Sequence, residues 1–280
     1  MKVLPFKIPK PQQDALVFQD DLDLVFYDKL HQHEEIQLSL IVSGDGSLIV
    51  GDTINHYETG DILIIGSNLP HVFISDENAN IPSHMLTLFF TKDAFGPHFF
   101  DLSELEALEP FFKRAEQGFK ITSKKKHLTS LFYNLKQSSK LESFIILIRM
   151  LQITSIASYE SLSSFIYDKR YTDNEGKRMR NVFEYTMTHF SQDISLDTIS
   201  GVAVMTKNAF CKYFKKRTNK TYFQFLNELR IEHACKLIIK NNDLSISEIA
   251  YRSGFKNISN FNRQFKSVKG SIPSAYKQRA

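Results

Sequence analysis

Apolar residues are spaced in two different ways along the chain. Over residues 14–90 they form short runs or alternate with polar residues, as in LSLIVSGDGSLIVGDTINHYETGDILIIGSNLPHVFI. This spacing predicts short β-strands separated by turns at Gly44-Asp45-Gly46, Gly51-Asp52 and Gly60-Asp61, and the last is predicted to be a hairpin turn. A series of such strands indicates a small antiparallel barrel or jelly roll.

Over residues 95–167 the apolar spacing becomes helical. One apolar face of KKHLTSLFYNLKQ is formed by Leu128, Leu131, Phe132 and Leu135. The segment ESFIILIRMLQITSIAS is apolar almost all round, as expected of a helix buried on several sides. These helices can pack within their own subunit or against a second subunit, and both kinds of packing can be present in the same protein. The polar stretch DKRYTDNEGKRMR has no apolar period and predicts an interdomain linker.

Residues 193–276 contain an internal repeat. The matching positions are Asp193 with Asp243, Met205 with Phe255, Phe210 with Phe261, Phe214 with Phe265, Lys215 with Lys266 and Phe225 with Tyr276. Each copy predicts a short helix, a tight turn and a second helix. Between the copies, TYFQFLNELRIEHACKLIIKNND has apolar residues at helical spacing, which predicts one long helix that sets the separation of the two copies.

The second copy carries local signals for its helices. Ser245 followed by Glu248 predicts a capping box at the start of the first helix, and Gly254 suits the turn because it has no Cβ. Asn257 is predicted to cap the next helix. On that helix the apolar stripe is formed by Phe261, Phe265 and Val268, whereas the opposite side carries Ser259, Arg263 and Lys266, flanked by Asn260 and Asn262.

These outward side chains can donate hydrogen bonds to phosphates and base edges, so each copy predicts a DNA-binding helix-turn-helix. An ordinary amphipathic surface helix would explain one copy but not two with the same Phe-x3-Phe-Lys ending. The distribution of charge also favours binding to a polyanion. Residues 174–280 hold 19 Lys/Arg and 8 Asp/Glu, a balance of +11, whereas the whole chain has a net charge of +4.

The segment IAYRSGFKNISNFNRQFKSVKGSIPSAYK resembles the signature of the AraC/XylS family of transcription regulators. The resemblance is carried by Ile249, Ala250, Gly254, Phe255, Phe261, Arg263, Phe265, Lys266, Gly270, Pro273 and Tyr276. MTKNAFCKYFKKRTNKTYFQFLNELRIEHACKLI is similar to the family's first motif and linker helix. The resemblance implies a seven-helix module whose two recognition helices enter adjacent major-groove segments, preceded by a cupin-like sensor domain.

The resemblance also implies roles for individual residues. The DNA-binding positions are Lys207, Asn208, Cys211 and Lys212 in the first motif, and Asn257, Ile258, Ser259, Asn262, Arg263 and Lys266 in the second. Val204 departs from the family because a glycine is usual in the first turn. Ile258 stands where a polar residue is common, and it can contact a thymine methyl or pack inward. Cys211 can be a redox switch or a small residue on the helix surface.

The segment HQHEEIQ raises the question of a metal site. In cupins that bind metals, a His-x-His pair, a glutamate four residues later and a distant histidine hold the ion. His31, His33 and His71 match the histidines, but Gln37 replaces the glutamate, which weakens the charge balance. Neutral imidazoles can still bind zinc or iron. We nevertheless predict no metal and no cofactor, and expect these four residues to line the mouth of an effector pocket or to satisfy local hydrogen bonds.

The sequence thus predicts an α+β multidomain protein: a cupin-like β-barrel or jelly roll with following helices at residues 1–167, a linker at 168–180, and an all-α tandem helix-turn-helix domain at 181–280. No secretory signal or membrane span is recognisable, and two cysteines give no disulfide framework, which indicates a cytoplasmic protein. The predicted partners are double-stranded promoter DNA, a small-molecule effector, RNA polymerase and a second copy of the chain.

The predicted function is sequence-specific regulation of transcription, as an activator controlled by a sugar or another metabolite. Activation and a sugar effector are implied only by the family. No catalytic residues are predicted, because the chain shows no nucleophile–base pair. Two alternatives remain open: a metal-dependent cupin enzyme with a DNA-targeting tail, and a non-specific nucleoid-binding protein.

Overall fold

The computed structural model describes residues 14–76, 82–166, 173–240 and 243–278, and the chain divides into two compact units, Met1–Gly176 and Lys177–Ala280. Within these residues, no helix is long and apolar enough to cross a membrane.

The first unit is built on two antiparallel sheets. Its strands are β1 (Leu16–Asp23), β2 (Ile36–Ser43), β3 (Gly46–Val50), β4 (Thr53–Tyr57), β5 (Ile62–Ile65), β6 (His71–Ser75), β7 (Ser83–Phe90), β8 (Phe119–Ile121) and β9 (Tyr159–Ser161). The larger sheet has the order β1-β7-β2-β5-β8-β9, and the smaller has the order β4-β3-β6. This arrangement agrees with the predicted cupin-like domain.

Strand β2 explains where the cores lie. Its side chains alternate between the two faces of the sheet, and Leu38 and Leu40 belong to the core that the larger sheet forms with the helices. Ile41 points the other way, into a second core that also includes Leu48 and Phe73 of the smaller sheet. Gln37 and Ser39 share the face of Ile41, so buried polar groups lie between the sheets.

The predicted turns are present, but the pairing at one of them differs. Gly51-Asp52 forms the tight hairpin between β3 and β4, where Val50 lies opposite Thr53 and Gly51 has a φ of 57°. The prediction of a hairpin at Gly60-Asp61 is wrong, because β4 and β5 belong to different sheets. The local turn signal is correct, but β5 pairs with β2 instead, and the Ile41 amide donates to the Asp61 carbonyl at 2.9 Å.

Asp61 fixes this corner through its buried carboxylate. The carboxylate accepts hydrogen bonds from the Glu58 amide at 3.1 Å and from the ammonium groups of Lys120 at 2.5 Å and Lys125 at 2.8 Å. Burial alone would raise the pKa of Asp61, but the hydrogen bonds from the two lysines outweigh burial and lower it. The corner is therefore held by an ionised carboxylate with three donors.

Helices cover the outer face of the larger sheet. Two 3-10 turns, Phe99–Asp101 and Ser103–Leu108, lead into α1 (Glu109–Ala115), followed by α2 (Lys125–Leu135) and α3 (Lys140–Ile156). The predicted apolar face of α2 is buried. Helix α3 buries one face but leaves Leu141 69% exposed, with Ile145 and Ile156 also exposed. The expected burial of α3 on several sides is thus only partly present, because one side alone packs on the unit.

The second unit consists of helices. They are α4 (Asp173–His189), α5 (Leu196–Val202), α6 (Lys207–Thr218), α7 (Tyr222–Lys240), α8 (Ile246–Arg252), α9 (Ile258–Lys269) and α10 (Pro273–Lys277). The predicted linker at 168–180 lies outside the described residues up to position 172, and from Asp173 it is helical. The sequence of this stretch did not predict a helix because the buried apolar residues of α4 come late in it. They are Met179, Val182 and Phe183, of which only Met179 lies in the polar stretch.

Helix α7 is the single long helix predicted between the two copies. Its first turns pack on the first copy, where the rings of Tyr222 and Phe225 lie 5.4 and 5.9 Å from the Phe214 ring. Its later turns join the second copy, in a core that includes Ile231, Ala234, Cys235, Ile238, Phe261 and Phe265. One helix thus belongs to the cores of both motifs.

Candidate functional site

The first motif places α6 with one face buried and the other open. Thr206 caps the helix by accepting a hydrogen bond from the Ala209 amide, and Phe210 and Phe214 are fully buried. The four predicted contact residues of this motif, Lys207, Asn208, Cys211 and Lys212, are all exposed. The cap itself was missed, although a threonine just before the helical period is a recognisable N-cap signal.

The second motif repeats this arrangement on α9. The Asn257 side chain caps the helix and accepts hydrogen bonds from the amides of Ser259 at 2.8 Å and Asn260 at 3.1 Å. The capping oxygen is therefore occupied, and the donor that the Asn257 side chain retains is its NH2 group. The capping box of Ser245 and Glu248 on α8 is present as predicted.

The outward face of α9 forms a continuous polar stripe. At about 100° per residue, Ser259, Asn262, Arg263 and Lys266 lie within an arc of about 100°. All four are exposed, and the Arg263 guanidinium donates to the Asn260 side-chain oxygen at 2.9 Å. Ile258 exposes 41% of its surface at the start of this stripe, which favours an outward contact over packing inward.

The turns of the two motifs have the same backbone shape but different residues. Gly254 has a φ of 86°, and a Cβ there would lie 2.8 Å from the Phe190 carbonyl oxygen. Val204, at the matching place in the first motif, has a φ of 53° and is 83% exposed. A β-branched residue in the left-handed region is a backbone outlier. The turn of the first motif is therefore strained at Val204, whereas the turn of the second motif is free of this strain because it has a glycine.

Arg230 on α7 is a residue whose role the sequence did not reveal. Its guanidinium donates to the carbonyl oxygens of Phe190 at 2.7 Å and Gln192 at 2.8 Å, and it lies 5.8 Å from the centre of the Phe255 ring. Burial lowers the pKa of Arg230, but a guanidinium stays protonated. Arg230 therefore ties the segment after α4 to the turn of the second motif.

The cations of the two recognition helices differ in their surroundings. Lys207 pairs with Asp197 at 2.9 Å, and both groups are exposed, so the pair is weak and can yield to a phosphate. Lys212, Lys215, Lys216 and Lys266 have no ion-pair partner among the described residues. Their charge is therefore available for a polyanion.

In the first unit, the structure brings the four predicted pocket residues together. One ring nitrogen from each of His31, His33 and His71 lies within 4.8 Å of the other two. The main chains of His31 and His71 exchange two hydrogen bonds, of 3.0 and 2.9 Å, and the Asn68 amide donates to the His33 carbonyl at 2.7 Å. The backbone thus fixes the positions of all three rings.

Hydrogen bonds also fix which nitrogen of each ring carries the proton. Each Nδ1 lies against a main-chain carbonyl, at 2.7 Å for His31, 2.8 Å for His33 and 2.8 Å for His71. Each Nδ1 therefore donates, and each Nε2 carries a lone pair. Burial lowers the pKa of His33 and lowers that of His71 further, which keeps both rings neutral.

Gln37 completes this cluster. Its side-chain oxygen lies 3.1 Å from Nε2 of His33, and its NH2 group donates to the Ser39 hydroxyl at 2.9 Å. The Ser39 hydroxyl is in turn 3.1 Å from that of Thr87 on the neighbouring strand. Ser39 and Thr87 are not among the predicted site residues, although polar residues alternating with leucines in IQLSLIV mark a polar row inside the barrel.

Comparison with known proteins agrees with this architecture. The chain matches the family models of a helix-turn-helix domain over residues 199–279 and of an AraC-like ligand binding domain over residues 16–89. The chain belongs to the AraC/XylS family. The two matches confirm the predicted family and fold class. The chain is therefore a helix-turn-helix transcription regulator with a ligand-binding domain.

Relatives of this chain include regulators from two bacteria. An uncharacterized helix-turn-helix transcriptional regulator of Bacillus subtilis, YdeC, is 23% identical over 90% of this chain and 87% of its own length. A Staphylococcus aureus regulator is 24% identical over 95% of this chain, which spans only 34% of that protein. Among solved structures, ToxT of Vibrio cholerae has 15% identity and a TM-score of 0.38, covering 94% of this chain and 97% of ToxT.

Proposed function

We propose that this AraC-family regulator binds promoter DNA sequence-specifically through both recognition helices and activates transcription in response to a small-molecule effector. The observation that carries the proposal is the pair of exposed polar faces, on α6 and α9, built on one shared helix. Residues 181–280 would form the DNA-binding domain and residues 1–167 the sensor, with the interdomain segment at 168–180. The mechanism is binding alone and requires no catalysis.

Helix α7 supports reading by both motifs. It has 19 residues and is therefore about 28 Å long, close to one turn of B-DNA at about 34 Å. In this arrangement Asn208, Cys211 and Lys212 face the bases of one major-groove segment, and Ile258, Ser259, Asn262 and Arg263 face the next. The DNA phosphate backbone is contacted by Lys207, Asn257 and Lys266.

The barrel supplies the regulation in this proposal. An effector held near His31, His33, Gln37 and His71 favours one arrangement of the two units, and its differential affinity changes the fraction competent for DNA or RNA polymerase. The exposed apolar residues of α3, led by Leu141, suit a contact with a second copy of the chain. The regulator is proposed to act in the cytoplasm.

The test is a titration of DNA by the full-length protein. A binding site selected from random DNA should be bound more tightly than random sequence by about a thousandfold or more. Lys207→Ala, which removes a proposed phosphate contact, should weaken binding to all sequences and reduce its salt dependence, whereas the control Lys177→Ala, an exposed lysine on α4, should leave both unchanged. A ratio near one would favour a non-specific nucleoid-binding protein and contradict the proposal.

A further inference from the structure

His71 is a buried polar group without a partner at one of its two nitrogens. The residue is fully buried, its Nδ1 donates to the Leu69 carbonyl, and its Nε2 has no hydrogen-bond partner among the described residues. Leaving a buried acceptor unpaired is destabilising, and such groups in native proteins commonly mark a bound water, ion or ligand. The orphaned nitrogen therefore points to something that occupies this end of the barrel.

The surroundings of His71 show what kind of group would satisfy it. His71 and its two neighbours, His31 and His33, present lone pairs rather than N–H groups, because their Nδ1 protons are held by main-chain carbonyls. Nitrogens from three rings converge within 4.8 Å, and imidazole lone pairs converging in this way bind a transition-metal ion. An anion would be repelled by the same lone pairs.

Gln37 lies beside the histidines. Its side-chain amide is 3.1 Å from Nε2 of His33, so its oxygen is within reach of an ion held by that nitrogen. Ser39 accepts the Gln37 NH2 group and so directs the Gln37 oxygen toward the histidines.

We propose that His31, His33 and His71, with the Gln37 side-chain oxygen as a fourth ligand, bind a divalent transition-metal ion inside the barrel. The inference rests on the proposed sensing role of this domain and names what its polar end holds. Three nitrogens and one oxygen favour zinc or a neighbouring first-row ion over magnesium or calcium, which prefer sites made of oxygen ligands.

Charge and geometry are both compatible with such a site. The four ligands are neutral, and the Glu35 carboxylate, 3.9 Å from Nδ1 of His33, supplies negative charge beside them. Zinc–nitrogen bonds of about 2.0–2.1 Å in a tetrahedral site bring the nitrogens to about 3.3 Å from one another. The rings therefore move closer by small rotations when the ion binds, and Ser39 and Thr87 keep Gln37 oriented meanwhile.

The first experiment measures metal content directly. The full-length protein is stripped with a chelator, incubated with zinc, freed of unbound ion and analysed by elemental mass spectrometry. We expect about one zinc per chain, and with cobalt the visible absorption of a four-coordinate ion. His71→Ala should lose this binding, whereas His56→Ala, which removes an exposed histidine of strand β4, should retain it.

A second variant keeps the proposal testable if His71→Ala does not fold. Gln37→Glu supplies the carboxylate that the site lacks, so it should bind zinc more tightly by about tenfold or more and raise the metal-induced shift in Tm. Without metal the same variant should melt below the wild type, because it buries a charge. Ser39→Ala, which removes the group that orients Gln37, should weaken binding by about 10- to 100-fold.

The outcomes separate this inference from the proposed function. Zinc content equal to that of the His71→Ala variant, with no change for Gln37→Glu, would overturn the metal site while leaving specific DNA binding intact. Stoichiometric zinc in a protein that does not discriminate between DNA sequences would support the metal site and contradict the proposed regulator.

Discussion

Replacing Val204 by glycine should stabilise the DNA-binding unit. Val204 stands in the turn of the first motif with a φ of 53°, where an L-residue with a branched Cβ is strained. It is 83% exposed, so its side chain contributes little burial that could be lost. The equivalent turn of the second motif has Gly254, which adopts a positive φ without this strain.

The expected gain is the difference between two terms. The left-handed conformation costs an L-residue about 1–2 kcal/mol, and glycine removes this cost. Glycine also makes the unfolded chain more flexible, and the extra conformational entropy lost on folding costs about 0.5–1 kcal/mol. The free energy of unfolding should therefore rise by about 0.5–1 kcal/mol, and Tm by about 4 °C for a unit of this size.

The assay is urea unfolding followed by circular dichroism, because the chain has no tryptophan to report by fluorescence. Hydrogen exchange of peptides from residues 196–218 then assigns the change to the first motif. Gly254→Ala is the matched control of opposite sign, since its Cβ would lie 2.8–2.9 Å from three heavy atoms. An unchanged or lower stability for Val204→Gly would refute the claim that this turn is strained.

Three further changes test other parts of the structure. Phe261→Ala should destabilise the second motif by about 3–5 kcal/mol, because this ring is fully buried between α7 and α9; thermal unfolding measures it. Arg263→Ala should weaken DNA binding by about 1–3 kcal/mol and relax the preference at one base pair, measured by titration with single-base variants of the site. Asp61→Asn should cost about 2 kcal/mol near neutral pH by weakening the bonds from Lys120 and Lys125, measured by urea unfolding. Because the folded pKa of Asp61 is lowered, its contribution is complete above its ordinary pKa of 3.8 and is lost as pH falls below it, so the variant should lose less stability in acid than the wild type.

Each of these expectations has a contrary result. An unchanged melting profile for Phe261→Ala would remove this residue from the core of the second motif. A uniform loss of affinity across all DNA sequences would make Arg263 a phosphate contact rather than a base contact. Equal acid sensitivity of the Asp61→Asn variant and the wild type would show that the carboxylate is not held in its charged form.

The sequence predicted the helix-turn-helix elements well because their signals are local. The capping box of Ser245 and Glu248 on α8 and the Asn257 cap on α9 are present as predicted. The helical period alone predicted that Phe261 and Phe265 would be buried, and they are. Capping and periodicity act within a few residues and need no knowledge of the rest of the fold.

The features that the sequence did not reveal depend on distant parts of the chain. A turn signal at Gly60-Asp61 shows that the chain bends, but not that β5 pairs with β2. Arg230 looks like any cation on a helix until the carbonyls of Phe190 and Gln192 are placed beside it. The replacement of a glutamate by Gln37 weakened the case for a metal, and the convergence of three ring nitrogens beside the unpartnered Nε2 of His71 exists only in the folded chain.

The central claim is that both motifs read bases, and selection from a random DNA pool tests it most directly. Full-length wild type should select two blocks of fixed bases about 10.5 base pairs apart, centre to centre. A variant with Asn208→Ala and Lys212→Ala should lose one block, and Arg263→Ala should relax a position in the other. Selection of a single block, or equal loss of both blocks in each variant, would contradict the account.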